Sequence, residues 1–417
     1  LRKNVKVEFK MLKVGFVGSG FVAKFHMRAF ANIRNAIVTA VYSPHRREDL
    51  FALASELGLP QPKYYSDLRE MLSKEQLDAL WILAPNFARV DVTKIVVEEI
   101  LQGRATVKAL AYEKPLARNL YEAKQIVELV KKAGLLHGYL ENQVFMPSVV
   151  RGKEIAWRRG AAIAGRPYLA RAAEEHGGPH SPWFWNPALS GGGVLLDMGC
   201  HSIEAGRYLL TKLDEKDLKP VEVYAETYTL KWTQREYVEK LKRFINVDYS
   251  KMPAEDYART IVKYETSEGQ LVVSESSNAW CFVGPGLRLT FELFGPEYYM
   301  QINTLQPELF VFFSREVKGP AGEDLVEKQA AEQGLMPAIP DEAITYGYVA
   351  EDKHMVEAFS KGISPRENLE DALLVMELLM AAYKSAEFRK PIRLPDPSLE
   401  DYKPPPYRVA SAIVQQP

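Results

Sequence analysis

Cysteine is nearly missing from the chain. Only Cys200 and Cys281 occur in 417 residues, too few for a disulfide framework and spaced unlike a zinc-ligand motif. A reducing compartment fits, and we expect a cytoplasmic protein. Neither sign of charge is in excess: 53 Lys and Arg face 54 Asp and Glu, a net charge of −1. That removes the electrostatic basis for binding nucleic acid or an anionic membrane. Long apolar runs are absent too, since nothing approaches the about 18 residues of a spanning helix. Residues 1–10 alternate charged and apolar side chains instead of building a signal-peptide core. Met11 directly precedes the first expected strand, so 1–10 read as an upstream extension or an expression remnant. No internal repeat or low-complexity tract is found.

What is present is core material. A composition of 47% hydrophobic and 26% charged residues excludes wholesale disorder. At about 150 residues per domain the length predicts two or three units. From Met11 to Ser148 short apolar runs alternate with longer amphipathic stretches, which predicts βαβ units on a parallel sheet. Strands are expected over 13–17, 37–42, 79–83, 107–111 and 135–139, with a helix over 120–133. Asn119 and Glu122 suggest a capping box for that helix and Gly134 its stop. After Arg166 successive strands over 221–232, 259–265, 271–276, 287–294, 298–304 and 309–315 imply an antiparallel sheet. Helices over 349–361 and 369–388 follow before Pro391 and Pro395. The expected units are therefore 11–148, doubly wound α/β; 149–395, α/β with a large, mostly antiparallel open sheet; and a proline-rich tail, 396–417.

Gly18-Ser19-Gly20-Phe21-Val22-Ala23 joins the first strand to a helix. Gly18 makes the tight turn, Gly20 lets backbone approach a pyrophosphate with Phe21 and Val22 opening the helix, and Ala23 permits close helix-on-strand packing. This context predicts dinucleotide binding. The second strand ends in Tyr42-Ser43-Pro44-His45-Arg46-Arg47, without the acid that holds the ribose 2′-hydroxyl of NAD. Ser43, Arg46 and Arg47 suit a 2′-phosphate instead, which leans the cofactor from NAD towards NADP.

Two further motifs, Glu113-Lys114-Pro115 and the run from Gly191-Gly192-Gly193 through Asp197 to His201, complete an ordered set. With the glycine turn, the set resembles the Gfo/Idh/MocA family of NAD(P)-dependent sugar and cyclitol dehydrogenases, over most of the chain from Met11 to Pro395. The resemblance implies an N-terminal Rossmann domain with a C-terminal open-sheet α/β domain. It also implies a catalytic lysine at Lys114 with Glu113 beside it, a catalytic pair in Asp197 and His201, a cofactor loop at Pro85 and Asn86, and a frequent first-helix histidine at His26. Homo-oligomers, dimers or tetramers, are expected from it, as an open sheet also suggests. The chain departs from the family at Arg89, where a histidine is common, and at Ala84 in place of threonine. Extra residues before Glu113 leave the fourth strand's register open.

The chemistry read from these residues agrees. Oxidising a secondary alcohol needs a base within hydrogen-bond reach of the hydroxyl while hydride leaves the same carbon. His201 can take the proton near neutral pH, Lys114 can stabilise the developing alkoxide, and Asp197 can hold the alcohol; which of Lys114 and His201 is the base stays open. Asp197 and His201, four apart, would share a helix face. His176 and His180 flank Gly177-Gly178-Pro179, which forbids a regular helix, so no metal is expected and substrate contact by one of them is preferred. Trp185 is a candidate face for a sugar ring. The expected partner is thus a small carbohydrate, with no nucleic acid and no membrane. Two alternatives remain: a glycosidase that recycles a tightly bound NAD(P), and a non-catalytic dinucleotide sensor.

Overall fold

The computed structural model describes residues 11–306, 309–313, 334–339 and 341–414. Its first part is a six-stranded sheet of β1 (Leu12–Val17), β2 (Ala36–Tyr42), β3 (Lys63–Tyr65), β4 (Ala79–Ile82), β5 (Ala109–Glu113) and β6 (Leu136–Leu140), ordered β3-β2-β1-β4-β5-β6. Every pairing is parallel, and β4 and β5 are buried along their whole length, as a sheet covered by helices on both faces requires. Strand order reverses between β1 and β4, so the crevice beyond their C-terminal ends is the place for a ligand. Around the sheet run α1 (Phe21–Phe30), α2 (Glu48–Glu56), α3 (Leu68–Lys74), α4 (Arg89–Leu101) and α5 (Leu120–Lys132). β3 has too few residues to show a period and escapes the sequence reading. β5 begins two positions later than the expected 107–111, which brings Glu113 to its C-terminal end. Asn119 caps α5 by accepting from Glu122 N–H at 3.0 Å, but the Glu122 carboxylate turns to Arg118 instead of closing a capping box.

The second sheet holds β7 (Leu169–Glu175), β8 (Leu218–Tyr228), β9 (Tyr257–Thr266), β10 (Leu271–Ala279), β11 (Arg288–Gly295), β12 (Tyr298–Asn303) and β15 (Ile392–Arg393), ordered β12-β11-β7-β10-β9-β8-β15. Only β7 with β10 is parallel; the other pairings are antiparallel. β7 is central, yet its sequence Leu-Ala-Arg-Ala-Ala-Glu-Glu carries strong helix formers and shows no strand signal. β8 stops at Tyr228, short of the expected 232, and a helix over Arg235–Ile245 follows. β13 (Leu309–Phe313) pairs with β14 (Gly334–Ala338) apart from both sheets; positions 314–315 of the expected strand lie outside the described residues, as do 1–10 and 415–417.

α6 (Val194–Asp197) and α7 (Gly199–Leu210) precede β8, and α8 (Tyr348–Lys361) and α9 (Leu369–Phe388) follow the sheet. α7 and α9 pack on it. α8, expected with the second unit, instead packs on α1 and sends Met355, Val356 and Phe359 into one cluster with Val14 and Phe16 of β1. Each such side chain stabilises the junction by about 1.5–3 kcal/mol when fully buried. The tail is not merely proline-rich: α10 (Pro405–Val414) packs on the short helix Pro187–Ser190. Among the described residues no helix is long and apolar enough to cross a membrane.

Candidate active site

At the C-terminal end of β1 the chain turns through Gly18 at φ +124°, where a Cβ would lie 2.8 Å from the Leu83 backbone. Only glycine fits that conformation and that approach. A Cβ on Gly20 would meet nothing within 4 Å, so the start of α1 faces open space, and no side chain caps its first N–H groups. Free N–H groups at a helix start beside an open cradle suit a pyrophosphate. A single cavity runs from this turn past Ser43, His45 and Arg47, along Pro85 and Asn86, to Lys114, Asp197 and His201. Asn86 donates to Ser190 O at 2.8 Å and so ties the β4 loop to the segment that carries the glycine run.

Lys114 extends from the end of β5 and donates through Nζ to Asp197 O at 3.0 Å, with Asp197 Oδ1 3.4 Å away. Burial works against the ammonium, but Asp197, Glu174 and Glu113 around it outweigh that and hold its pKa well above the ordinary value. Asp197 Oδ2 also accepts from Trp280 Nε1 at 3.1 Å. Its helix start is fixed by Glu255, whose Oε1 accepts from Gly193 N and Leu195 N at 3.0 and 3.1 Å. Asp197 and His201 do not share one helix: α6 ends at Asp197, Met198 breaks the run, and His201 lies in the first turn of α7. Both still face the cavity.

His201 Nδ1 is hydrogen-bonded to Glu141 Oε1, and its Nε2 lies 3.9 Å from Glu174 Oε2. Burial, with the Lys114 charge adding to it, pushes His201 down to about 3, and burial drives Glu141 up to about 8. The imidazole is therefore neutral at physiological pH, and Glu141 decides which ring nitrogen carries its proton. Cys200 joins Glu141 and His201 in a group whose ligand-type atoms lie within 4.8 Å. Burial keeps that thiol protonated, and it donates to Asp197 O at 3.2 Å, so all three groups are already engaged.

Among the residues singled out from sequence, Gly18, Gly20, Phe21, Val22, Ser43, Arg47, Pro85, Asn86, Glu113, Lys114, His180, Asp197 and His201 line the cavity. Three do not. Arg46 pairs with Glu48 at 2.6 Å and lies over the Phe51 ring, because α2 offers it an acid and an aromatic face close by. His176 is fully buried, and its Nδ1 accepts from Gly178 N–H at 2.9 Å, which shapes the loop. Trp185 packs among Trp232, Tyr249 and Trp280 and donates to Pro179 O at 3.0 Å, so it belongs to the core. Its neighbours Trp183 and Phe184 line the cavity instead. Sequence reasoning missed Glu141, Gln143 and Glu174; Gln143 donates to Glu174 at 2.7 Å. Glu141 directly follows β6, and the strand-end rule was the one signal able to flag it.

Residues 12–139 match the model of the oxidoreductase family with an NAD-binding Rossmann fold, and 161–298 match the Gfo/Idh/MocA C-terminal domain. Myo-inositol 2-dehydrogenase of Thermotoga maritima is 23% identical over 92% of this chain and 98% of its own. Levoglucosan dehydrogenase of Pseudarthrobacter phenanthrenivorans is 28% identical over 48% of this chain, and the match spans 51% of that relative. Among solved structures, GenD2 from gentamicin A biosynthesis in complex with NAD superposes with a TM-score of 0.72 at 24% identity, over 93% of this chain and 97% of that one. With two successive family domains matched across more than half of its length, and the same two-sheet architecture, the chain belongs to the Gfo/Idh/MocA oxidoreductase family.

Proposed function

We propose that the protein oxidises a secondary hydroxyl of a sugar, glycoside or cyclitol, or reduces the corresponding ketone, with NAD(P). The observation that carries this reading is the convergence of a partly buried, charged Lys114 and of His201, backed by Glu141, on the same cavity as the glycine turn. A bound nicotinamide supplies the hydride acceptor. Lys114 stays cationic, so it donates to the substrate oxygen and favours its alkoxide. His201 relays the proton: with Glu141 ionised and accepting Nδ1–H, Nε2 takes the hydroxyl proton while the Nδ1 proton passes to Glu141, so the ring ends neutral. Asp197 orients Lys114, and Glu174 offers a carboxylate for a neighbouring hydroxyl. Ser43 and Arg47 line the far end of the cleft with no acid from the end of β2, which supports the lean to NADP.

As to assembly, β9 buries Ala258, Thr260, Val262 and Tyr264 and turns Arg259, Ile261 and Lys263 outward, a face suited to a second copy in a cytoplasmic dimer or tetramer. The reading of activity is tested by releasing and weighing the dinucleotide from denatured protein, then following nicotinamide absorbance on a panel of sugars, glycosides and cyclitols. Net NAD(P)H production is expected. Retained cofactor with aglycone release and a flat trace overturns it in favour of the glycosidase, and failure to bind either dinucleotide overturns it altogether. A tenfold or greater preference for NAD in titration removes the lean to NADP.

A further inference from the structure

The Lys114 peptide is gripped from two sides by the buried charges of Arg89 and Glu113. On one side stands Arg89, 3% exposed. Its guanidinium donates to the carbonyls of Glu113, Lys114 and Pro115, and its Nε to Ala84 O at 2.8 Å. On the other side Glu113 Oε2 accepts Lys114 N–H at 3.0 Å, and Glu113 Oε1 meets His26 Nε2 at 3.0 Å. His26 Nδ1 lies 3.0 and 2.9 Å from the two oxygens of Asp352, and Trp81 Nε1 donates to Asp352 Oδ1 at 2.7 Å. His26, Trp81 and Asp352 are wholly buried.

An imidazole with a carboxylate at each nitrogen donates at both, so His26 is a cation. Burial opposes that charge, but Asp352 and Glu113 outweigh it and raise the group to about 10. Such a buried ionic chain is a poor way to gain stability, because apolar side chains of the same shape usually do as well or better. Its value is directional: each link has one geometry, and the last link ends on the Lys114 backbone. Asp352 comes from α8, 326 positions from His26. Tyr348, four residues before Asp352 on α8, lines the cavity and sets its ring edge-on to His26 at 5.5 Å.

We propose that Asp352 is a positioning residue for the reaction: acting through His26 and Glu113, it fixes the Lys114 peptide against the opposing Arg89 clamp so that the ammonium meets the substrate oxygen. This rests on the proposed hydride chemistry. A misplacement of about 1 Å at a reacting group costs on the order of a hundredfold in rate, so the chain of contacts is worth its burial.

The test compares Asp352→Asn and Asp352→Glu with the unmutated full chain, using the fastest substrate of the panel. Five readings are taken: hydride-transfer rate in a single turnover, KM, dinucleotide affinity by protein fluorescence, melting temperature, and the 15N shifts of the His26 ring from pH 6 to 9. Groups facing that ring are Glu113 from β5 and, from α8, Asp352, its neighbour Glu351 and Tyr348. For D352N we expect a rate loss of about tenfold to a hundredfold, unchanged KM and dinucleotide affinity, and a His26 that titrates within the window where the unmutated ring stays protonated. D352E should recover most of the rate. An active D352N overturns the inference alone. So does a loss of rate that D352E does not recover and that follows the loss of dinucleotide affinity and melting temperature, since the role is then merely structural. An unmutated protein silent across the whole panel overturns the hydride reading, and this inference with it.

Discussion

Burial presses both Lys114 and His201 towards their neutral forms, and the charges beside them send the two in opposite directions. Surrounding carboxylates keep Lys114 charged, whereas His201, beside that charge, is held neutral. In the proposed mechanism, replacing Lys114 by Met removes one preorganised donor at the developing alkoxide. The expected cost is about a hundredfold to a thousandfold in kcat, with dinucleotide binding kept, as read by steady-state rates and a binding titration; unchanged turnover would remove Lys114 from the mechanism. A second expectation concerns pH. Below the Glu141 value of about 8 the carboxyl is protonated, donates to Nδ1 and leaves the ring proton on Nε2, where the hydroxyl proton should go. Above it the carboxylate accepts Nδ1–H and Nε2 is bare. Oxidation should therefore rise with pH through an ionisation near 8 that belongs to the pair, and ketone reduction should fall through the same value. Profiles of kcat/KM in both directions check this; a limb that persists unchanged in Glu141→Gln assigns the ionisation elsewhere.

At the scale of elements, the glycine run before α6 depends on one acid. Glu255 accepts from Gly193 N, Leu195 N and Tyr383 Oη, and burial raises it from 4.5 to about 7. Below pH 4.5 the folded and unfolded chains are both protonated there, and between 4.5 and 7 only the unfolded chain ionises. This group therefore lowers stability as pH rises through that window, by about 1.4 kcal/mol per unit. Glu255→Gln should flatten that contribution in urea unfolding at pH 5 and 7 relative to the unmutated chain; equal pH dependence in the two proteins would contradict it. The local motifs were legible in the sequence because their chemistry is local: Gly18 needs its φ, and Lys114 and Asp197 sit in short runs of restricted residues. What was not legible is held by distance. Glu141 and Glu174 carry no motif and matter only because two sheets bring strand ends together. β7 reads as helix by propensity, and pairing with β10 and β11 overrides it. Trp185 has the composition of a sugar platform, and only three surrounding aromatic rings show that it is core.

Across the whole molecule, the change from alternating to consecutive strands exposed two units, but not how firmly they are joined. One apolar cluster includes Val17, Leu80 and Ile82 of the first sheet, Val262 and Tyr264 of the second, and Leu378 and Leu379 of α9. α8 returns from the far end of the chain to pack on α1, and Asp352 completes an ionic chain inside the first unit. No periodicity within 348–361 reveals that partner, because the pattern of a helix states which face is apolar and not what it covers. Chains with two domains often unfold in two steps. Here, separating the units strips a shared core and leaves the His26 imidazolium buried against Glu113 without Asp352, which costs about 3–5 kcal/mol by itself. We therefore expect one calorimetric transition, followed in common by near-ultraviolet circular dichroism and tryptophan fluorescence. Dinucleotide at about a hundred times its Kd should raise the stability of the entire unit by about 2.7 kcal/mol and move that single transition upward. Two resolved transitions, with only the first shifted by dinucleotide, would show that the units fold independently and that α8 is an attachment rather than a joint.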